Sequence, residues 1–99
     1  MNTRDKITEA INQKQKIRFI YHNLIRIVEP HLLGIKTTGN VVLSAWQVGG
    51  QSETMNCPPW RNYVVSDISN FTITGEYFFN PRPGFNPNDG TMVKIIARV

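Results

Sequence analysis

Arginine and aromatic side chains interleave along this sequence, in a pattern that suits the binding of a phosphate beside a base. A guanidinium group can pair with phosphate oxygens, and an aromatic ring can stack on a nucleobase. The pattern therefore favours a site for a nucleotide or a short single-stranded nucleic acid. The candidate arginines are Arg18, Arg26, Arg61 and Arg82, and the candidate stacking rings are Trp46 and Trp60, with Tyr63 and Phe85 as further rings.

Each of these residues also has a purely structural role open to it. Both tryptophans can be core or rim residues, which is the commoner place for a large aromatic side chain taken singly. Arg26 can form an ion pair with Glu29 or Asp67. Arg61 can stack on an aromatic face instead of meeting a ligand. From the sequence alone these alternatives stay open.

Catalytic and metal-binding chemistry has few candidate residues here. The chain has one cysteine, Cys57, and two histidines, His22 and His31. A cysteine beside a histidine can act as a nucleophile, but no Gly-x-Ser-x-Gly, phosphate-cradling loop or His-x-x-x-His spacing accompanies them. A zinc site would need a fourth ligand, and Cys57 is more simply a loop thiol next to Pro58. We expect a protein that is not an enzyme and that uses no metal or cofactor.

Length, charge and cysteine content narrow the class of protein further. The 99 residues suffice for one domain, and the net charge of +4 with a pI near 9.6 favours anionic partners. No cluster of five basic residues is present, so tracking along a duplex is not indicated. A single cysteine suits a reducing compartment. We see no signal peptide and no membrane-spanning run, and we expect a cytoplasmic protein without a membrane partner.

One helix and several short strands must position these side chains. Ile7, Ala10 and Ile11 share one helical face, so we predict a helix over residues 3–14. Residues 16–22 alternate between apolar and polar side chains, as a half-buried strand does. Further strands are predicted over residues 25–29, 32–36, 41–48, 60–65, 71–73 and 92–99.

Turn and breaker residues define the connections between these elements. Pro30 lacks an N–H, so we expect it to end a ladder or to lie on a sheet edge. Asn23-Leu24 is predicted as a two-residue hairpin turn. The remaining connections are turns at residues 37–40 and 66–69, an exposed loop at 49–59 and an irregular Pro-rich arm at 78–90.

The resulting fold class is mainly β, with one N-terminal α-helix. A helix followed by five to six short strands predicts a small, strongly bent antiparallel barrel, since closure removes exposed edges. We expect a single domain over residues 1–99, with the helix at 1–15, the barrel core at 16–75, and the arm and closing strand at 76–99.

The stretch from residue 10 to residue 61 resembles the WYL domain family in the order and spacing of its motifs, and the residues that follow continue the pattern. The family pattern is a helix ending near Ala-Ile, a basic-x-Phe-x-Tyr strand, and an Arg-x-Val-x-Pro segment. A Gly, the Trp-Tyr-Leu strand, and an Arg-x-aromatic strand leading to an Ile follow. The corresponding residues here are Ala10-Ile11, Arg18-Phe19-Ile20-Tyr21, Arg26-Ile27-Val28-Glu29-Pro30-His31, Gly34, Val41-Val42-Leu43-Ser44-Ala45-Trp46, Arg61-Asn62-Tyr63 and Asp67-Ile68.

This resemblance implies an Sm-like or SH3-like β-barrel in a small stand-alone WYL-like protein of bacterial or phage origin. Residues 78–98 are similar to the C-terminal extension of such proteins. It also implies a ligand-sensing module of the kind found in transcription regulators and phage-defence systems, binding single-stranded DNA or nucleotide-like ligands through basic residues. By position, Arg26 and Arg61 would be the binding residues, with His31 as a polar neighbour.

The chain departs from the family pattern in two places. The tripeptide position holds Val41-Val42-Leu43, so its Trp and Tyr are missing and Trp46 or Trp60 would have to supply base stacking. No helix-turn-helix precedes the predicted helix, so we do not expect sequence-specific promoter binding by this chain alone.

Three functional hypotheses follow, in order of preference. The first is a non-catalytic module for a nucleotide or short single strand, with Arg26, Arg61 and Arg82 on phosphate and a tryptophan on the base. The second is a protein-interaction or homodimerisation module that uses the arm or the loop at residues 49–59. The third is a sponge that sequesters a signalling nucleotide.

Overall fold

The computed structural model describes residues 2–50 and 59–99, in which one helix is followed by six strands. The mainly β class with an N-terminal helix is confirmed, and all strand pairs are antiparallel. The elements are α1 (Thr3–Gln13), β1 (Gln15–Tyr21), β2 (Leu24–Lys36), β3 (Val41–Gly50), β4 (Trp60–Val64), a 3₁₀ turn (Val65–Asp67), β5 (Ser69–Tyr77) and β6 (Met92–Arg98).

Helix α1 begins and ends close to the predicted boundaries, because both ends are capped. The Asn2 side chain accepts a hydrogen bond from the Asp5 N–H at 2.8 Å, which satisfies one of the free donors of the first turn. Lys14 closes the helix in the left-handed conformation, with φ of 54°. Ile7 and Ile11 are buried against the sheet, and an 11-residue helix depends on such packing for its stability.

The sheet is organised around β2, which has three partners. The strand order is β4-β3-β2-β1-β5, with β6 also paired to β2. Strand β3 runs along one side of β2, while the other side pairs first with β1, up to Val28, and then with β6, from Leu32 onwards. The two strands predicted at residues 25–29 and 32–36 are wrong, since they form one 13-residue strand in which Pro30 lies opposite Ala45. The ladder with β1 does end just before Pro30, at Val28, as expected. Neither β1 nor β6 pairs with Pro30, so its missing N–H falls in the gap between these two partners.

The sheet is not closed, so the predicted barrel is not confirmed. Within residues 2–50 and 59–99, no ladder joins β4 to β5, which are the two ends of the strand order. A side chain bridges part of the opening, because the Tyr21 hydroxyl accepts a hydrogen bond from the Val64 N–H at 3.1 Å. This bond ties the end of β1 to the end of β4 without a backbone ladder.

The two faces of the sheet carry different groups, since neighbouring residues along a strand point to opposite sides. The core face holds the main apolar cluster, in which Phe19, Leu43 and Tyr63 pack with the helix residues. The arm face holds a smaller cluster that includes Val42 and Phe85. We call the segment between β5 and β6, residues 78–91, the arm; it has no helix or strand, as predicted for residues 78–90.

Several predicted boundaries shift for reasons of backbone conformation. The β1–β2 turn is formed by His22 and Asn23, with φ of 51° and 64°, rather than by Asn23 and Leu24, because a primed hairpin turn needs positive φ at both central residues. Strand β5 is nine residues long instead of the predicted three. Its alternation is hidden in the sequence by irregularities near Asn70 and Gly75, which both have positive φ.

The first two residues of the predicted loop at 49–59 belong to a strand instead. Gly49 and Gly50 belong to β3 and lie opposite Ile27 and Arg26, while residues 51–58 lie outside the described part of the chain. Gly50 has φ of 81°, and a Cβ there would lie 2.3 Å from the Ile25 carbonyl oxygen. Only glycine allows the two backbones to approach this closely.

Gly34 lies at a second close approach, where β6 pairs with β2, and a substitution there tests this packing. A Cβ at Gly34 would lie 2.7 Å from the Lys94 carbonyl oxygen and 2.8 Å from Met92 Sδ. We expect Gly34→Ala to lower the free energy of unfolding by roughly 1–3 kcal/mol, the usual cost of overpacking, in urea denaturation. Gly90→Ala is the matched control, because no atom lies within 4 Å of its added Cβ. Equal stability of the two variants would contradict the β2–β6 packing.

Candidate functional site

The sheet divides the sequence-predicted site residues between its two faces. Arg61 lies opposite Ala45, and Arg26 lies opposite Phe19, so both arginines belong to the core face. Trp46 and Trp60 lie opposite each other on the arm face. The predicted combination of these two arginines with these two tryptophans is therefore not assembled in one place. Glu29 lies opposite Trp46, so Glu29 also belongs to the arm face.

On the core face, Arg26, Arg61 and Tyr63 form what we call the arginine cluster. Gln47 lies beside it. Arg26 is 4% exposed and donates to the Tyr21 carbonyl oxygen at 3.3 Å. Its guanidinium carbon lies 5.6 Å from the Tyr21 ring centre and 5.8 Å from that of Tyr63, within the range of a cation–π contact. Neither of the two ion pairs left open by the sequence, Arg26 with Glu29 or with Asp67, is found among the described residues, where Glu29 pairs with Arg82 and Asp67 lies near His22.

The Tyr63 hydroxyl is the common neighbour of the cluster. Burial raises the pKa of Tyr63 to about 12, while the charges of Arg26 and Arg61 and a hydrogen bond from Arg26 act to lower it. The hydroxyl donates to the Gln47 side-chain oxygen at 3.5 Å. It therefore stays protonated at neutral pH and can donate a hydrogen bond, next to two permanent positive charges.

Arg61 is the more accessible of the two arginines. Its side chain is half-buried, and its Nη1 donates to the Trp60 carbonyl oxygen at 3.0 Å. Together, Arg26 and Arg61 place two positive charges around one phenol. This arrangement suits an oxyanion such as a phosphate, which accepts hydrogen bonds from guanidinium and hydroxyl groups.

On the arm face, the aromatic residues surround His31. The His31 ring stacks on Phe78 at 5.3 Å and meets Trp60 and Phe85 edge-on, at 4.9 and 5.2 Å. Trp60 in turn meets Trp46 edge-on at 5.4 Å. His31 reaches this position because it is the extra residue of a β-bulge, with Pro30 opposite Ala45 and Leu32 opposite Ser44.

Hydrogen bonds decide the tautomer of His31. Nε2 accepts from the Arg82 backbone N–H at 3.1 Å, so it carries no proton. Nδ1 lies 2.8 Å from the Glu29 carbonyl oxygen, which only accepts, so Nδ1 carries the proton. Both ring nitrogens are thus engaged by backbone groups, which leaves neither available as a metal ligand. In the described residues no group of three His, Cys, Asp or Glu could hold a metal ion, and Cys57 lies outside them.

The arm also supplies the partner of a buried acid. Arg82 Nε donates to Glu29 Oε1 at 2.7 Å, and Arg82 Nη2 donates to Oε2 at 3.0 Å, a bidentate pair. Donation of these hydrogen bonds to Glu29 raises the pKa of Arg82 above its usual value. The guanidinium carbon also lies 5.3 Å from the Trp46 ring centre. The structure therefore places Arg82, a predicted phosphate ligand, against a carboxylate.

The remaining predicted residue, Arg18, is exposed in β1 and belongs to neither group. His22 is exposed in the β1–β2 turn, where its ring stacks on Tyr21 at 4.1 Å and its Nε2 lies 3.9 Å from Asp67. Glu29 was not among the site residues predicted from the sequence, although among the described residues it is the only acid on the arm-face wall of the cleft lined by residues 77–83. The signal was a single charged residue inside an apolar run, but its partner Arg82 is distant in the chain and could not be identified.

The neutral form of His31 makes the stability of the fold depend on pH. Burial, the main cause, and the charge of Arg82 lower the pKa of His31 below its usual value of about 6.5, although Glu29 acts to raise it. His31 has its usual pKa of about 6.5 in the unfolded chain and a lower pKa in the folded chain. Between these values the unfolded chain binds more protons than the folded chain, so the free energy of unfolding is highest above about pH 6.5 and falls as the pH is lowered. Thermal denaturation between about pH 7.5 and 5 should show this fall.

Two matched variants test whether His31 causes this pH dependence of stability. We expect His31→Gln to remove much of the fall in stability below neutral pH, and His22→Gln, at the exposed turn, to leave most of it in place. Equal pH dependence in His31→Gln and in the unsubstituted chain would show that His31 is not the titrating group.

Comparison with known proteins adds no relative. No family model matches the chain, and no curated protein or solved structure matches it. In the described part of the chain, no helix has both the length and the apolar character needed to cross a membrane. The chemistry that bears on function is therefore that of the two groups of residues, one on each face of the sheet.

Proposed function

We propose that this chain is a non-catalytic binding module for a nucleotide or a short single-stranded nucleic acid, with the arginine cluster as its phosphate site. One observation carries the proposal: Arg26 and Arg61 come from different strands and lie on the same face of the sheet as Tyr63, with the Arg26 guanidinium 5.8 Å from the Tyr63 ring centre. Two guanidinium groups and a phenol donor suit a phosphate better than they suit a neutral ligand. The net charge of +4 favours the same class of ligand.

The burial of the two arginines gives them different roles in this proposal. Arg61, half-buried, makes the direct contact with a phosphate oxygen. Arg26, at 4% exposure, acts through its charge and through Tyr63. Trp46 and Trp60 lie on the opposite face, so the base would stack instead on His22, whose exposed ring is stacked on Tyr21 beside Arg26.

The WYL resemblance supports the same two arginines. It assigns ligand binding to the positions of Arg26 and Arg61, and the mainly β architecture with an N-terminal helix is compatible with it. Membership of that family, a bent Sm-like or SH3-like barrel, a cytoplasmic location, and a regulatory or phage-defence role are parts of this proposal. The missing Trp and Tyr at Val41 and Val42 affect the stacking group and leave the phosphate contacts unchanged.

Titration with fluorescently labelled single strands and labelled nucleotides tests the phosphate site. We expect Arg61→Ala to weaken binding by about tenfold or more, because a hydrogen bond to a charged group is worth roughly 1.5–3 kcal/mol. The slope of log K against log salt concentration should decrease in magnitude by about one, because one phosphate contact is lost. Arg4→Ala, which removes an exposed arginine of α1, is the control and should change affinity only slightly. Absence of binding at low salt, or equal losses in both variants, would contradict the proposal.

A second candidate function, protein interaction or homodimerisation, is favoured by apolar side chains on the surface. Phe79 is 81% exposed at the start of the arm, Tyr77 is 55% exposed at the end of β5, and Val93 is 65% exposed in β6. Exposed large apolar residues are frequent at protein interfaces. Nothing in this observation requires a nucleotide.

Light scattering during size-exclusion chromatography discriminates between the two functions. If the second function is correct, the unsubstituted chain is a dimer whose mass does not respond to nucleotides, and Phe79→Ser weakens the dimer because it removes an apolar contact. Val48→Ser, at another exposed apolar position, serves as the control. A monomer at all accessible concentrations would exclude homodimerisation as the main function.

A further inference from the structure

The environment of Glu29 suggests a second binding site, on the arm face. The Glu29 side chain is 2% exposed and comes from β2, the central strand of the sheet. A cleft of about 490 Å³ opens beside it, lined by Glu29, Lys16 and residues 77–83. A buried carboxylate at the wall of an open cleft requires a cation, because an unpaired buried charge is strongly destabilising.

The cation that the carboxylate receives comes from the arm. Arg82 meets both oxygens of Glu29 and lies over the Trp46 ring, so the acceptor and the aromatic face both belong to the sheet. Arg82 itself belongs to a segment without helix or strand, and its side chain is 41% exposed. We therefore treat the half of the contact that belongs to the sheet as the receptor, and the half that belongs to the irregular arm as the ligand.

The receptor also contacts the backbone on both sides of the Arg82 side chain. His31 Nε2 accepts the Arg82 N–H at 3.1 Å, and Trp60 Nε1 donates to the Pro83 carbonyl oxygen at 2.7 Å. Gly84 then turns away with φ of 86°, and a Cβ there would lie 3.2 Å from Trp60 Nε1. The arm face therefore recognises an Arg-Pro dipeptide through one side chain and two backbone groups.

We propose that Glu29, Trp46, His31 and Trp60 form a binding site for an arginine side chain within an Arg-Pro segment of a partner polypeptide. In this structure the arm of the chain itself occupies the site, with Arg82 as an intramolecular ligand. The proposal does not depend on the phosphate site, which lies on the opposite face of the sheet.

The chemistry selects a guanidinium group over other ligands. A planar guanidinium can donate to both carboxylate oxygens at once and stack on Trp46, whereas an ammonium group cannot make both contacts in the same geometry. Glu29 repels an anion. Lys16 on the same cleft disfavours a second cation beside Arg82, so an incoming arginine must replace Arg82 rather than join it.

A peptide that copies residues 79–86 provides the probe, and Arg82→Ala removes the guanidinium group that pairs with Glu29. The peptide contains no tryptophan, and the only two tryptophans of the chain, Trp46 and Trp60, both lie in the site, so their fluorescence reports binding. We expect the Arg82→Ala chain to bind this peptide at least about tenfold more tightly than peptides with Lys or Ala at the arginine position, which corresponds to about 1.4 kcal/mol. The unsubstituted chain should bind it at least about tenfold more weakly than Arg82→Ala does, because its own arm competes.

Two further variants keep the test decisive. Arg82→Lys retains a charge against Glu29, so it replaces Arg82→Ala if the latter does not fold, and the arginine peptide should still displace the lysine. The double variant Glu29→Gln with Arg82→Ala removes both charges and should lose the preference for arginine. If the folded variant shows no preference for the arginine peptide over the lysine peptide, or if the double variant keeps that preference, the Glu29–Arg82 pair is structural only and the proposal is wrong.

The same titration distinguishes two sources of the arginine segment. Unsubstituted chain added in place of the peptide should form a complex with the Arg82→Ala chain, detected by light scattering, if the arm of a second copy is the natural ligand. If the peptide binds and the chain does not, the segment belongs to a different protein.

Discussion

The partner exchange along β2 is the constraint on which the rest of this structure depends. One strand must pair with β3 over its whole length while it changes from β1 to β6 on the other side. The exchange takes place at Pro30, which has no N–H to offer, and at His31, which is the extra residue of a bulge. Because the bulge shifts the alternation by one residue, it decides which side chains face the helix and which face the arm.

Burial of Glu29 is a further consequence of the path of β2 through the sheet. The strand places a carboxylate inside the arm face, and a charge there must be neutralised. Arg82 neutralises it, so the irregular arm is held across the sheet by an ion pair, by the His31 and Trp60 hydrogen bonds, and by packing of Phe85. An arm without secondary structure thereby acquires a defined position, since its contacts come from a rigid strand and not from its own backbone.

The two faces of the sheet carry side chains of different chemistry. The arginine cluster on the core face offers positive charge and a phenol donor, which suits an anionic ligand. The arm face offers a carboxylate and aromatic rings, which suits a cation. A single sheet of this size can therefore present two sites of opposite charge preference, because alternate residues of the same strands serve opposite faces. The phosphate proposal and the arginine proposal can consequently be tested separately.

The sequence by itself determined the local elements, because these depend on periodicity and capping within short windows. The apolar spacing of Ile7, Ala10 and Ile11 predicted α1, the alternation in β1 was found, and the irregular arm was expected from its prolines. Longer strands were cut short wherever a proline, a bulge or a positive φ interrupted the pattern, as in β2 and β5. Such interruptions look like strand ends when only neighbours in sequence are considered.

Only the tertiary structure decided which residues share a site. The sequence identified arginines and aromatic rings as candidates, but the pairing of Ala45 with Arg61 and of Trp46 with Trp60 sends them to opposite faces. In the same way, the partner of Glu29 proved to be Arg82 rather than Arg26. The physical reason is that strand register and the path of the arm are fixed by contacts between residues far apart in the chain. A one-residue bulge changes the face of every side chain beyond it, and no local pattern records that change.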